Sequence, residues 1–189
     1  QYEAALWDWA RNVLLRPYFL FSKDTTEPIS NTALNEYICA MQVAVEFIYD
    51  TAFSISDELL YTRWLTACAV KFEATSIDLA IAFMDDEALH ALNVKHLNHD
   101  TFTDIITFDD SVGSDVVANI AISVDRVFAN ADKFSQSFDN EMIRVISHGL
   151  LHCLGFDDKT DLDKEKMKKS EEACIKLFHV EQKPTNYVS

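Results

Sequence analysis

Three glycines and three prolines among 189 residues leave this chain short of the two residues that punctuate loops. Long irregular connections draw on both, so their scarcity argues against extended loops and loop-rich repeat arrays. No fixed-period repeat or low-complexity tract is present. Positive charge is equally scarce: 16 Lys and Arg stand against 31 Asp and Glu, a formal net charge of -15. Such a chain repels polyanions at long range, so nucleic-acid binding would need a local basic patch or a bound cation. No apolar run approaches the ~18 residues of a membrane span. The first residues lack the basic segment and apolar stretch of an export signal. The four cysteines, Cys39, Cys68, Cys153 and Cys174, form no close-spaced pair. Cys153 and Cys174 fall in apolar helical patterns and are expected to be buried free thiols, which suits a reducing, cytoplasmic setting.

What the chain does have is core material, 49% hydrophobic and 12% aromatic, enough for one domain, or one domain with an appendage. Tyr2–Arg16 reads as an amphipathic helix stopped by Pro17, with Leu6, Trp9 and Val13 on its apolar face. A polar connector at Ser22–Asn31 and a second helical stretch at Thr32–Met41 follow. Residues 1–40 are therefore expected as a helical extension whose Trp7 and Trp9 cover apolar surface, and residues 41–189 as the main domain.

From Met41 the pattern alternates. Strands are expected at Val43–Tyr49, Ile77–Met84, Asp104–Phe108 and Asn119–Asp125, the third interior because it is apolar on both faces. Helices are expected at Ser56–Phe72, Asp86–Leu97 and Arg126–Phe134. The first has Ser56 or Asp57 as cap and Leu59, Leu60, Trp64, Leu65 and Cys68 as its face. Asp139 would cap the next helix, Gly155 would end it, and Thr160 with Asp163 would open a last one with the stripe Met167, Cys174, Leu177 and Phe178. This is an α/β domain with a sheet of about four strands.

The chemistry gathers in "HGLLHCLGFDD", His148 to Asp158. Residues four apart share a helix face about one turn apart, so His148 and His152 can meet one metal ion. Gly155 breaks the helix and lets the chain return a third ligand, Asp158, with Asp157 as its rival. Three protein ligands and an open position describe a catalytic zinc centre. A carboxylate in place of a third imidazole makes the site less positive and an activated water a weaker acid. The basic residues nearby are Arg144, one turn before His148, then Lys159, and Lys164, Lys166, Lys168 and Lys169. The lysine run alternates with Asp161, Asp163, Glu165, Glu171 and Glu172, and reads as a solvated helix face.

A second stretch, "LNVKHLNHDTFTDIITFDD" (Leu92–Asp110), stands upstream. Together with "SHGLLHCLGFDDKT" it resembles the YbeY family of metal-dependent endoribonucleases, over about Met41 to Val180. The resemblance implies a small α/β sheet, one zinc ion per chain or another divalent ion, and hydrolysis of ribosomal RNA by a metal-activated water. It further implies small-subunit 3′-end maturation and ribosome quality control. Its partners would be ribosomal RNA and the small ribosomal subunit or its proteins, with neither membrane nor DNA. His148 and His152 map onto two of the family's ligands; its usual third, a histidine, is Asp158 here. The family arginine before the Thr-Asp strand is Leu97, and its Gly-Asp pair aligns with Ala118-Asn119. Thr103, Asp104, His99 and Arg144 are the substrate-binding candidates. Thr103 and Asp104 can equally form only the turn that sets strand register.

Two rival readings follow from the same residues. Zinc peptidases of H-E-x-x-H-x-x-G-x-x-D type share the metal spacing but need a glutamate where Gly149 stands. A non-catalytic ribosome assembly factor with a structural metal is compatible with Leu97.

Overall fold

A computed structural model describes residues 41–182. The helical extension expected over residues 1–40, and Cys39 with it, lies outside the described residues. The four-stranded α/β architecture is as the periodicity implies. Strands β1 (Gln42–Asp50), β2 (Ser76–Met84), β3 (Ile105–Asp109) and β4 (Asp115–Ser123) form one sheet in the order β1-β2-β4-β3. The first three in that order run parallel, and β3 returns antiparallel to β4. The β2 and β4 runs are buried on both faces over most of their length, which is why they read as nearly continuous apolar sequence.

Strand β3 corrects an expectation: it lies at the sheet edge, not inside. Its two-faced apolarity has another cause. Ile106 is buried on one face, while Ile105 meets the histidine helix on the other. At five residues it is short, as edge strands commonly are.

Helix α1 (Glu58–Lys71) is capped by Asp57, whose carboxylate accepts from the Leu60 N–H at 2.9 Å. Its buried face is Trp64, Leu65 and Cys68; Leu59, expected there, is 63% exposed. Helix α2 (Asp86–Leu92) stops earlier than expected, and Asn93–Leu97 form a π-helical turn. Asn98 then takes a left-handed φ of 54°, and the Asn93 amide donates to the Thr101 carbonyl at 2.6 Å. Helix α3 (Val124–Lys133) begins where a fourth strand ending at Asp125 was expected to continue. Ser123 caps it, accepting from the Arg126 N–H.

Helix α4 (Phe138–Cys153) carries the histidines. Its cap is Ser137, which accepts from the Asn140 N–H at 3.2 Å. Asp139, expected as the cap, sits inside the first turn, where its charge still favours the helix dipole. Met142, Ile143, Val145, Ile146, Leu150 and Leu151 are all essentially buried, so this is a central helix packed on several sides. Each such side chain contributes roughly 1.5–3 kcal/mol of burial, so packing, and not the polar site, fixes where α4 lies. Helix α5 (Asp161–Glu181) is opened by Thr160, which accepts from the Asp163 N–H while its hydroxyl donates to the Asp163 carboxylate. It lies against α1 and α4. The Trp64 indole N–H donates to the Cys174 carbonyl at 2.8 Å and joins α1 to α5. Cys68, Cys153 and Cys174 are buried free thiols.

Candidate metal centre

On α4 the residues beside the two histidines in sequence, Ser147, Gly149, Leu151 and Cys153, are buried, whereas His148 and His152 are only half-buried at one rim. Gly155 follows with φ +85°, and the helix closes as a Schellman motif. The Gly155 N–H reaches the His152 carbonyl at 2.9 Å, and the Phe156 N–H reaches the Leu151 carbonyl at 3.0 Å. That reversal brings the Phe156 carbonyl to His152 Nδ1 at 3.0 Å, and Asp158 back over the histidines. His148, His152 and Asp158 each offer a ligand atom, all within 4.8 Å of one another.

The hydrogen-bond partners assign the tautomers. A carbonyl can only accept, so His152 Nδ1 carries the hydrogen and Nε2 the lone pair. His148 Nδ1 lies 2.8 Å from Glu171 Oε1, so its lone pair is also on Nε2. The two Nε2 atoms face each other at 3.0 Å. Two lone pairs at that distance repel unless a cation, a proton or a metal ion, lies between them. Tetrahedral zinc with Zn–N near 2.0–2.1 Å holds its nitrogens about 3.3 Å apart, close to the spacing found. Asp158 Oδ2 stands 3.9 Å from His148 Nε2, on a side chain 45% exposed. The donor set fits a divalent ion such as zinc. Asp157 is otherwise engaged: its carboxylate accepts from the Asp158 N–H at 2.8 Å and from Lys159 at 3.1 Å. Those two contacts hold it below the usual carboxylate range.

Gly149 is buried, and a Cβ built there would lie 2.7 Å from Ile105 Cδ1 and 3.3 Å from two Ile120 atoms. Position 149 therefore faces the sheet, and the glycine lets α4 approach β3 and β4 closely. A peptidase glutamate at this position would be driven into that contact.

Behind His148 lies a charged network. Arg144 donates to Glu141 through Nε at 3.0 Å and Nη2 at 2.7 Å. It also stands 3.6 Å from Glu171 and 3.5 Å from Asp104. Burial alone would lower the Arg144 pKa, but the Glu141 hydrogen bonds and the charges of Glu141, Glu171 and Asp104 outweigh it and raise it. Asp104 further accepts from the Asn130 amide at 3.2 Å, and its backbone carbonyl accepts from the Ser123 N–H. The Thr103 hydroxyl donates to the Ile105 carbonyl at 3.1 Å, the local turn that sets strand entry. His99 is exposed in the loop before β3. Phe102 in that loop stacks on His90 at 4.2 Å and lies 4.8 Å from the Arg126 guanidinium. Leu97 is 43% exposed at the end of the π-helical turn. Asn119 is buried on the sheet face opposite α4, and its Oδ1 has no hydrogen-bond partner.

The residue that sequence reasoning missed is Glu171, which reads as part of the solvated charge run. It is buried, at 9% exposure. The signal was its place on the stripe Met167, Glu171, Cys174 and Phe178, at offsets of four, three and four. The rest of that run is solvated as expected, with Lys169 on Glu165 at 2.7 Å and Lys166 on Asp163 at 3.6 Å.

Similarity to known proteins points the same way. A protein named endoribonuclease YbeY from Flavobacterium johnsoniae is 46% identical over 138 residues, covering 73% of this chain and 99% of that protein. The Christiangramia forsetii protein of the same name is 43% identical over 139 residues, covering 73% and 96%. A solution structure from Thermotoga maritima shares the fold, with a TM-score of 0.55 at 22% identity, covering 72% of this chain and 90% of that one. The family model described as endoribonuclease YbeY matches residues 49–179, the span that holds strands β2 to β4 and all three converging ligands, and the chain belongs to that family.

Proposed function

We propose that this chain is a metal-dependent endoribonuclease acting on single-stranded ribosomal RNA. Its place would be small-subunit 3′-end maturation and ribosome quality control, in the cytoplasm, with one zinc ion per chain. The observation that carries this reading is the pair of Nε2 lone pairs aimed at one point beside Asp158, with both Nδ1 atoms already committed. When bound, the ion supplies Lewis acidity toward a phosphate oxygen and lowers the pKa of water. It also brings the positive charge that a chain of net charge -15 lacks.

The protein's own part is to hold the three ligands at a half-buried rim open to substrate. Candidates for contact with the RNA backbone are Thr103, Asp104 and His99 around the entry to β3, and the exposed part of Arg144. The ribosomal small subunit or its proteins would deliver the RNA. No helix among the described residues is long and apolar enough to cross a membrane. Gly149 argues against the peptidase reading, because its position faces Ile105 and Ile120.

The test is cleavage of ribosomal RNA fragments with and without chelator, beside His148→Ala. Chelator-sensitive cutting that His148→Ala abolishes is expected. Leu97, where the family has arginine, favours a second reading, a non-catalytic assembly factor. Binding to small subunits without cleavage would establish that reading instead.

A further inference from the structure

Glu171 is a carboxylate on the buried stripe of α5, flanked one turn each way by Met167 and Cys174. A buried charge is costly unless it is paired and hydrogen-bonded. Its Oε1 is 2.8 Å from His148 Nδ1 and 3.6 Å from Arg144 Nη1. Arg144 is itself anchored by both Glu141 oxygens, and Glu141 is only 2% exposed. The two nitrogens of an imidazole point in divergent directions, so a carboxylate on Nδ1 cannot ligate an ion held on Nε2. Glu171 is therefore not a fourth ligand.

We propose that Glu171 is a positioning residue for the metal centre: it holds the hydrogen on His148 Nδ1, so that the lone pair is presented at Nε2. The inference rests on the metal reading of His148, His152 and Asp158. Free imidazole favours the opposite tautomer, with hydrogen on Nε2, and the hydrogen bond at one nitrogen decides which form is populated. Without an acceptor at Nδ1, His148 would turn an N–H toward His152 and the ion. Arg144 stands 3.6 Å from the same oxygen, so its positive charge helps keep Glu171 ionised and able to accept from the ring. His152 has no such carboxylate; the Phe156 carbonyl does the corresponding work there. The two ligands are thus held by different devices, one a side chain from α5 and the other the turn after α4.

The test has two readouts, neither of them activity. Zinc affinity is measured by competition with a chromophoric chelator, and the His148 tautomer by imidazole nitrogen shifts in metal-free protein. Glu171→Ala is expected to weaken zinc binding roughly 10–100-fold, as loss of such outer partners does, and to move His148 to the Nε2–H tautomer. Glu171→Gln, whose amide oxygen can still accept from Nδ1, keeps the wild-type tautomer and loses less affinity. Glu171→Asp keeps the charge but falls short of the ring, so it behaves like the alanine variant; it carries the comparison if the alanine variant does not fold. Zinc affinity of Glu171→Ala and Glu171→Asp within about twofold of wild type, with the tautomer unchanged, overturns the proposal while leaving the metal site intact. A wild-type protein that takes up no zinc overturns the metal reading and this inference with it.

Discussion

Glycine at position 149 is a packing residue whose smallness also has a chemical consequence. Its missing side chain is what lets α4 lie against Ile105 and Ile120, and the same turn of helix presents His148 at the rim. Gly149→Glu, which would restore the peptidase motif, is predicted to destabilise the fold by roughly 3 kcal/mol or more, through overpacking and an unpaired buried carboxylate. Chemical denaturation measures this; a variant of wild-type stability would show that the position is roomier than the contacts indicate. At this scale the convergence of His148, His152 and Asp158 was legible because helix periodicity and a glycine break are local rules. Glu171 was not, since its neighbours in sequence are lysines and acids, and only the i, i+4 stripe shows which way it points. Arg144 was legible as a nearby base, but of its three carboxylate partners only Glu141 is local, one turn back on α4, while Asp104 and Glu171 come from parts of the chain far from it.

Among the elements, the turn after α4 matters most for the site. Gly155 has φ +85°, and nothing lies within 4 Å of a Cβ built there, so its cost on substitution is backbone strain alone. Gly155→Ala is predicted to lose about 1 kcal/mol of stability. It should also weaken zinc binding, because the Phe156 carbonyl that fixes the His152 tautomer depends on that reversal. Thermal melting and zinc competition on the same samples check both halves; unchanged zinc affinity would mean that the carbonyl is dispensable. The sequence marked this helix end correctly. It placed β3 in the interior, because an edge strand covered on both faces has the same apolar pattern as a central one. It ran α2 on to Leu97, because a π-helical turn keeps a helix-like composition while Asn98 quietly takes the left-handed conformation.

For the molecule as a whole, the aromatic core and the thiols set an alkaline limit. Burial first, then Glu58, pushes Tyr49 up to about 12, and burial with Asp139 and Tyr49 pushes Tyr61 up to about 12. Cys153 is pushed up to about 12 by burial and then by Asp109. In the unfolded chain these groups titrate near their ordinary values, about 8.5 for cysteine and 10 for tyrosine. Between those values and about 12, the unfolded state binds fewer protons than the folded one, so stability falls as pH rises. Melting temperature should therefore hold to about pH 8.5 and decline steadily above it; a flat profile well into the alkaline range would contradict the assignment. The α/β class was legible at this scale from alternating patterns alone, whereas the order β1-β2-β4-β3 was not, because strand order depends on long-range pairing.

The central claim is that one divalent ion is held by His148, His152 and Asp158, and counting zinc per chain in purified wild type, His148→Ala and His152→Ala tests it most directly. A single equivalent is expected in the wild type, and none that survives dialysis in either variant. A full equivalent retained by both variants would place the metal elsewhere and remove the basis for the site.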